Sequence, residues 1–255
     1  METVNSEFLG YSMYNGKLMD ILLKGKTIVN TLNQYSFCLA EEDKNFKNAL
    51  LQSDVLLPDG ISIVLSAKFL SGSEIHKIAG ADLHEFILKY LNSVYGSCFY
   101  LGSKNETLEV IKSKIVEKFP NVNCGSYSPP FKDSFTEEDN DLMVQKINEF
   151  NPDVLFVGMT APKQEKWVHQ NKDRIQATYI CSIGAVFDYF SGTIERPNDV
   201  WVKYGLEWLG RFMKEPKRLW KRYFLYGLIY VKYISLNKFV RSFKLFKPDT
   251  HVANT

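Results

Sequence analysis

Residues 151–196 read NPDVLFVGMTAPKQEKWVHQNKDRIQATYICSIGAVFDYFSGTIER, and this stretch decides the fold. The apolar run at residues 153–157 stands between a proline and a glycine, which is typical of a strand buried on both faces. Pro162 suits the first turn of a helix, and Thr160 is placed to cap that helix. A second apolar run follows at residues 178–183. The stretch therefore predicts a strand–helix–strand unit, whose crossover is right-handed in almost all proteins.

The same alternation of strand and helix covers most of the chain before residue 200. Further strands are expected at residues 27–31, 54–57, 97–101 and 122–127. A segment with helical character follows each of them. This order predicts an α/β protein with a mostly parallel Rossmann-like sheet, covered by helices on both faces, and a basic helical C-terminal appendage.

The composition is ordinary for a globular protein, with 45% hydrophobic and 24% charged residues among 255. The N-terminus lacks the charged and apolar segments of a signal peptide, and no apolar run reaches the ~20 residues of a membrane span. The four cysteines form no CxxC pair. These features favour a cytoplasmic protein with reduced thiols over a disulfide framework or a zinc site.

Basic residues concentrate near the C-terminus. Residues 202–247 hold twelve Lys/Arg against two acids, although the net charge of the chain is only +2. We therefore divide the chain into an α/β body at residues 1–200 and a basic amphipathic appendage at residues 201–255. Residues 223–236 are apolar and aromatic, so contact with an anionic membrane is favoured over packing of an ordinary helix against the body or another subunit.

Polar residues follow two of the predicted strands. Thr31 and Asn33 come at the end of the strand at 27–31, and Asp59 precedes a glycine after the strand at 54–57. Residue type and spacing explain each of them as a helix cap. A carboxylate at the edge of the sheet where ligands bind would also suit a general base, so both roles stay open for Asp59.

Other polar residues group near the ends of the remaining strands. Lys163, Gln164 and Glu165 open a helix, and Asp188 follows the strand at 178–183. The pattern by itself favours a capped helix with a solvated first turn. Gly102 joins a strand to a helix, a junction whose free N–H groups suit a diphosphate.

The order of motifs along the chain resembles the WecG/TagA/CpsF family of bacterial glycosyltransferases (glycosyltransferase family 26). The resemblance covers about residues 27–222 and rests on many elements in the right order. In chain order these are Thr31-Leu-Asn33, Leu57-Pro-Asp59-Gly60, Gly80-Ala-Asp82-Leu83, Gly102-Ser103, Gly158 with Pro162-Lys163-Gln164-Glu165, Gly184 with Phe187-Asp188, Gly192, Arg196-Pro197, and Gly205-Leu-Glu207-Trp208 with Arg211 and Glu215-Pro216-Lys217-Arg218.

The resemblance implies transfer of a sugar from a UDP donor to a polyprenyl-diphosphate-linked sugar, with inversion and with no cofactor or required metal. It places the enzyme in the cytoplasm, peripheral on the inner face of an anionic membrane, and leaves a homo-oligomer open. Asp59 would deprotonate the acceptor hydroxyl, with Thr31 and Asn33 in the same pocket. Donor contacts are implied for Lys77, Gly102, Gln164, Glu165 and Asp188. Contacts with the acceptor diphosphate and the membrane are implied for Arg211, Arg218, Lys221 and Arg222.

Three departures from the family pattern concern the donor more than the reaction class. Lys77 stands where many relatives have an arginine, and Arg196-Pro197 lacks an intervening alanine. Ser182-Ile-Gly-Ala185 replaces the usual Gly-Val-Gly-Gly. N-acetylmannosamine, its uronic acid and glucose therefore all remain candidate sugars.

Asp139-Asn140-Asp141 spells the DxD that many nucleotide-sugar transferases use to hold a divalent metal. Here the motif lies inside an amphipathic helix with no strand before it. Because such a motif has meaning only in its structural context, we interpret it as a solvated helix face and predict no metal site.

A second class of function stays open. A nucleotide-binding regulatory protein or a nucleic-acid-binding protein could combine such a body with a basic tail. The apolar content of residues 223–236 argues against nucleic acid, since contact with phosphates needs no apolar face. An NAD-dependent oxidoreductase is weaker still, because the chain has no GxGxxG fingerprint.

Overall fold

Six parallel strands form the centre of the protein. The structure is a computed structural model that describes residues 5–22, 25–194, 201 and 206–245. Arg196-Pro197 and Gly205, which belong to the family resemblance, lie outside the described residues. The strand order is β4-β3-β8-β7-β5-β6. The strands are β3 (Thr27–Leu32), β4 (Val55–Pro58), β5 (Ser97–Gly102), β6 (Asn123–Tyr127), β7 (Val154–Gly158) and β8 (Tyr179–Ser182). The predicted strand positions are confirmed within two residues.

Helices connect these strands and follow them. In chain order they are α1 (Leu18–Ile21), α2 (Gln34–Glu42), α3 (Lys44–Leu51), α4 (Ile61–Ser71), α5 (Gly80–Val94), α6 (Asn105–Lys118), α7 (Glu137–Phe150), α8 (Lys163–Asn171), α9 (Gly184–Ser191), α10 (Glu207–Lys214), α11 (Pro216–Trp220) and α12 (Tyr226–Leu245). One turn of π-helix, Lys221–Leu225, joins α11 to α12.

Apolar side chains cover both faces of the sheet, because successive residues of a strand point to opposite sides. On one face, Val29, Tyr100 and Phe156 pack with buried residues of α5, α6 and α9. On the other face, Ile28 and Leu155 belong to a cluster that includes residues of α7 and α8. This arrangement confirms the predicted α/β class.

A short hairpin before the sheet was not anticipated from the sequence. Strands β1 (Asn5–Phe8) and β2 (Tyr11–Tyr14) pair antiparallel. Phe8, Tyr11 and Met13 of this hairpin are buried in a core cluster with residues of α2, α3 and α4. The hairpin is therefore part of the core, although its strands are too short for a clear pattern in the sequence.

The C-terminal helices are present as expected, but α12 also contributes to the core. Tyr230 and Ile234 are buried in the cluster that contains Phe37 of α2. The rings of Phe37 and Tyr230 meet edge to face, with 5.5 Å between their centroids. The boundary at residue 200 stays a prediction, but this packing means that α12 is anchored to the body.

Candidate active site

The carboxyl ends of four neighbouring strands surround a small polar cavity of about 140 Å³. Thr31 and Asn33 approach it from the end of β3, and Asp59 from the end of β4. The segments after β7 and β8 complete the wall. This is the edge at which open parallel sheets bind ligands.

A second cavity of about 380 Å³ adjoins the first. The residues that line both cavities are Asn33, Tyr35, Asp59, Arg211 and Arg222. The smaller cavity is below the ~300 Å³ at which pockets for drug-sized ligands begin, whereas the larger one is within that range. The two cavities can therefore hold two different ligand groups, one on each side of the polar residues that they share.

Asp59 is half-buried and directly follows β4. Its backbone N–H donates to the carbonyl oxygen of Leu32 at 2.9 Å, which fixes its position beside β3. Gly60, and not Asp59, is the N-cap of α4, and no side chain caps this helix. The helix-cap interpretation of Asp59 was wrong, so its carboxylate at the shared wall has no such structural role.

Asn33 does cap a helix, as its residue type predicts. Its Oδ1 accepts from the backbone N–H groups of Tyr35 and Ser36, each at 3.0 Å. These bonds orient the side-chain amide, and no described residue accepts from its Nδ2. Asn33 therefore caps α2 and also lines both cavities.

Two arginines from the C-terminal helices complete the shared wall. The guanidinium of Arg222 lies over the ring of Tyr35 at 4.6 Å, and that of Arg211 lies over the ring of Tyr189 at 5.1 Å. Burial lowers the pKa of Arg222, and the charge of Arg211 acts in the same direction, whereas the charge of Asp59 raises it. Two cations thus stand close to one carboxylate, an arrangement suited to an anionic ligand.

Gln164 and Glu165, in the first turn of α8, are buried in the wall of the smaller cavity. Gln164 Nε2 donates to Glu165 Oε1 at 2.9 Å, and Gln164 Oε1 accepts from the backbone N–H of Met159 at 3.3 Å. A Cβ on Gly184 would lie 2.5 Å from Gln164 Oε1, so a larger residue there would displace the side-chain amide of Gln164. The predicted solvated first turn was wrong for these two residues.

The start of α8 also differs from the predicted cap. Pro162 is the N-cap residue, and no side chain caps the helix. The carbonyl oxygen of Thr160, rather than its hydroxyl, accepts from the backbone N–H groups of Lys163 and Gln164. Thr160 has a φ of 67°, which is rare for a β-branched residue, and it lines the smaller cavity.

Four further residues named from the sequence are not placed at the wall that the two cavities share. Lys77 lines only the larger cavity, away from Gln164 and Glu165. Lys163 donates to the carbonyl oxygen of Lys132, outside both cavities. Lys221 is exposed on the π-helical turn. The backbone of Arg218 belongs to α11, but its side chain lies outside what the structure describes.

Two further predicted donor-binding residues are also outside the cavities. Asp188 lies within α9 and not directly after β8, and its neighbour Tyr189 lines the smaller cavity instead. Gly102 has a φ of 111°, and a Cβ there would lie 2.3 Å from the carbonyl oxygen of Gly158. The packing of β5 against β7 therefore explains this glycine without a ligand.

The acids of the DxD motif both have structural partners. Asp139 completes the capping box of α7 with Thr136 and pairs with Lys132 at 2.8 Å. Asp141 pairs with Arg174. No cluster of three or more His, Cys, Asp or Glu side chains that could hold a metal occurs among the described residues.

Three residues of the site were not identified from the sequence. Tyr35 and Tyr189 support the arginines, and Ser182 lines the smaller cavity. The only signal was the departure of Ser182-Ile-Gly-Ala185 from the family pattern. Stacking between Tyr35 and Arg222, which are more than 150 positions apart, is not visible in a local pattern.

The fold and the cavities by themselves define a class of protein. This is an α/β protein with polar cavities at the carboxyl edge of its sheet, partly enclosed by basic helices, and such a site suits a phosphorylated small molecule. None of the described helices combines the length and the apolar composition that crossing a bilayer requires.

Comparison with known proteins gives the family. The family model described as "Glycosyl transferase WecG/TagA/CpsF family" matches residues 8–244. The chain therefore belongs to this family of glycosyltransferases, as its motifs had indicated.

Two similar proteins carry the name N-acetylglucosaminyldiphosphoundecaprenol N-acetyl-beta-D-mannosaminyltransferase. The one from Bacillus subtilis (strain 168) is 30% identical over 195 residues, which are 76% of this chain and 74% of that relative. The one from Staphylococcus aureus (strain MW2) is 23% identical over 227 residues, which are 85% of this chain and 87% of that relative.

Proposed function

We propose that this chain transfers a sugar of the N-acetylmannosamine type from UDP to a polyprenyl-diphosphate-linked sugar, with Asp59 as the general base. The observation that carries the proposal is that Asp59 belongs to both cavities together with Arg211 and Arg222. The names of the Bacillus and Staphylococcus relatives specify N-acetylmannosaminyl transfer to a lipid-linked N-acetylglucosamine diphosphate, which supports both substrates.

The proposed reaction is a single displacement. The acceptor hydroxyl gives its proton to the carboxylate of Asp59 while its oxygen attacks the anomeric carbon of the donor. The bond from that carbon to the oxygen of UDP breaks on the opposite face, and UDP leaves with the bonding electrons. The anomeric configuration is therefore inverted, and negative charge develops on the leaving diphosphate.

Arg211 and Arg222 are assigned to that developing charge. Guanidinium groups bind phosphate oxygens through paired hydrogen bonds, and they do so more strongly where water is partly excluded. Arg218 and Lys221 neighbour this region along the chain and are proposed to assist. Two or more cations at this place can stabilise the leaving group without a divalent metal.

The two cavities are assigned to the two substrates. The smaller cavity contains Gln164 and Glu165, and we assign it to the donor sugar. The larger cavity contains Lys77 and also the exposed apolar side chains of Leu65 and Phe224, and we assign it to the acceptor. An apolar rim suits an acceptor that carries a lipid.

Membrane contact is proposed for the surface of α12 that faces away from the body. Leu228 and Val231 are exposed there, next to the exposed Lys232. An apolar helix face flanked by lysine suits the interface of an anionic membrane. The enzyme would then act as a peripheral protein at the cytoplasmic surface, where it meets its lipid-linked acceptor.

The central test is Asp59→Asn with a panel of UDP-sugars and a lipid-diphosphate-linked N-acetylglucosamine analogue. The panel contains UDP-N-acetylmannosamine, its uronic acid and UDP-glucose. We expect wild type to release UDP and form a disaccharide product with one of them. The variant should bind UDP with unchanged affinity but lose at least ~100-fold in turnover, the usual scale for loss of a general base. Near-normal turnover in the variant would remove Asp59 from the mechanism.

Metal independence has its own test. We expect turnover to persist in excess EDTA, because the arginines carry the charge stabilisation in this proposal. The double variant Asp139→Ala, Asp141→Ala should remain active but melt at a lower temperature, since both acids have structural partners. Loss of activity in EDTA that magnesium or manganese restores would contradict the assignment of the arginines.

A further inference from the structure

Three buried side-chain atoms lack a hydrogen-bond partner among the described residues, namely Asn30 Oδ1, Glu165 Oε2 and Ser182 Oγ. Leaving such an atom unpaired destabilises the folded protein, more so when the group is charged, and native proteins contain few of them. Three in one chain therefore require an explanation.

Two of these residues lie on one face of the sheet. Val29 of β3 is in register with Cys181 of β8, and continuing this parallel register by one residue brings Asn30 beside Ser182. Ile28 and Ile180, two residues earlier on each strand, belong to the cluster packed against α8. Glu165 is carried by α8 on the same face, so the three residues share one layer.

Glu165 and Ser182 also line the smaller cavity. Glu165 is only 2% exposed and Ser182 is fully buried, so bulk water reaches neither well. The bond from Gln164 engages Oε1 of Glu165 and leaves Oε2 as the unpaired oxygen. Two residues in the wall of the smaller cavity thus each hold a buried oxygen without a hydrogen-bond partner among the described residues.

We propose that Glu165 and Ser182 together bind one neutral polar substituent of the donor sugar, either a hydroxyl or an acetamido group. Such a group donates a hydrogen bond to Glu165 Oε2 and accepts one from Ser182 Oγ. An apolar substituent would leave both atoms unpaired. This inference rests on the proposed function, because it places the transferred sugar in the smaller cavity.

The volume of the cavity supports a substituent or part of a ring as the occupant. At about 140 Å³, the cavity is too small for a whole nucleotide sugar. Glu165 and Ser182 line only the smaller cavity, whereas Arg211 and Arg222, the proposed diphosphate partners, line both cavities. Glu165 and Ser182 should therefore affect the sugar part of the donor and not its UDP part.

The test compares calorimetric binding of UDP with that of the UDP-sugar which wild type binds most tightly, chosen from the three-donor panel and measured without acceptor. Ser182→Ala should reduce the additional affinity provided by the sugar about two- to tenfold, the range for one hydrogen bond. With all binding measured at pH 8, where Glu165 is mostly ionised, Glu165→Gln should reduce it about tenfold or more, because its bond involves a charged acceptor. Both variants should bind UDP with wild-type affinity.

The matched control is Thr27→Val, which removes another buried hydroxyl, at the amino end of β3 and outside both cavities, and should leave both affinities unchanged. If Ser182→Ala and Glu165→Gln leave the contribution of the sugar intact, the unpaired atoms hold only water and the inference fails. An equal loss for UDP and UDP-sugar would also overturn it. If wild type binds neither UDP nor any UDP-sugar, the proposed function itself fails, and that result is distinct.

Discussion

Glu165 is a carboxyl group that the fold keeps from water at the edge of the sheet. Burial raises its pKa from the ordinary 4.5 to about 7, and the hydrogen bond from Gln164 only partly offsets this effect. Buried carboxyl groups with raised pKa values are found mainly at functional sites, because burying them contributes little to the stability of the fold. A residue that destabilises the protein is therefore consistent with a role in binding.

The stability of the protein should report this raised pKa. The folded state holds the proton of Glu165 up to about pH 7, whereas the unfolded state releases it near pH 4.5, so the contribution of Glu165 to stability falls as pH rises through that window. At 1.36 kcal/mol per pKa unit the loss is about 3 kcal/mol. Glu165→Gln should abolish it.

Urea unfolding at pH 5 and pH 8 measures this effect. The free energy of unfolding of Glu165→Gln, relative to wild type, should be higher at pH 8 than at pH 5. The comparison with wild type cancels the titration of other carboxyl groups. An equal difference at both pH values would mean that Glu165 ionises normally.

At the scale of elements, α12 has two different faces. One face enters the core through Tyr230 and Ile234, whereas the other exposes Leu228 and Val231. The π-helical turn before it holds Arg222 against Tyr35 at the site. Such π-helical turns occur often at functional sites. The packing of α12 therefore also determines where Arg222 stands.

Because of this packing, we expect that a body truncated before α12 would lose part of its core. Tyr230 is 3% exposed, and its hydroxyl donates to the carbonyl oxygen of Ser62 at 3.3 Å. Tyr230→Ala should lower the free energy of unfolding by about 3–5 kcal/mol, the range for truncating a buried aromatic side chain. Val231→Ala, one position along the helix on the exposed face, should change it by less than ~0.5 kcal/mol.

Chemical unfolding of Tyr230→Ala and Val231→Ala tests whether α12 is packed firmly on the body. If both variants have wild-type stability, α12 is only loosely attached and a truncated body would fold. Reduced turnover in Tyr230→Ala under conditions where it stays folded would show that α12 positions Arg222.

At the scale of the whole molecule, charge and apolar surface are unevenly distributed. Twelve of the thirty-one Lys and Arg residues lie in residues 202–247. Exposed apolar side chains of the π-helical turn and α12 occur in the same segment, including Phe224, Leu228 and Val231. Because Phe224 also lines the larger cavity, attachment of this segment to a membrane would bring that cavity to the lipid-linked acceptor.

Substitution of the exposed face tests this attachment without disturbing the core. Leu228 is 72% and Val231 is 60% exposed, so Leu228→Glu with Val231→Glu should leave the fold intact. We expect the double variant to lose co-sedimentation with anionic liposomes, since it removes apolar contact and adds two negative charges. Binding of wild type should weaken with salt, at ~1 kcal/mol of attraction per basic residue near the surface.

Val116→Glu is the matched control. Val116 is 71% exposed on α6, which packs on the opposite face of the sheet from α12. It should sediment with liposomes as wild type does. If Val116→Glu loses liposome binding as much as the double variant does, the attraction to the membrane is general and not specific to α12. If the double variant keeps its liposome binding, the membrane contact lies elsewhere.

The sequence by itself determined the architecture, because the signals for it are local. Strands buried on both faces require continuous apolar runs, and those of β4, β7 and β8 were recognisable without a structure. The same holds for Asn33, whose amide bonds to backbone N–H groups two and three residues later. The motifs also sufficed for the family, since many of them occur in order along most of the chain.

The tertiary structure alone decided which polar residues meet. Asp59, Gln164 and Arg222 belong to elements far apart in sequence, and only the strand order β4-β3-β8-β7 and the docking of α12 bring them to one wall. Burial is likewise a property of the assembled layers. Residue type predicted a solvated Glu165, but α8 packs against the sheet and turns this carboxyl group inward, where its pKa rises. The position of Asp188 is also a tertiary effect. The point at which α9 begins after β8 determines which of its residues face the site, and Asp188 lines neither cavity.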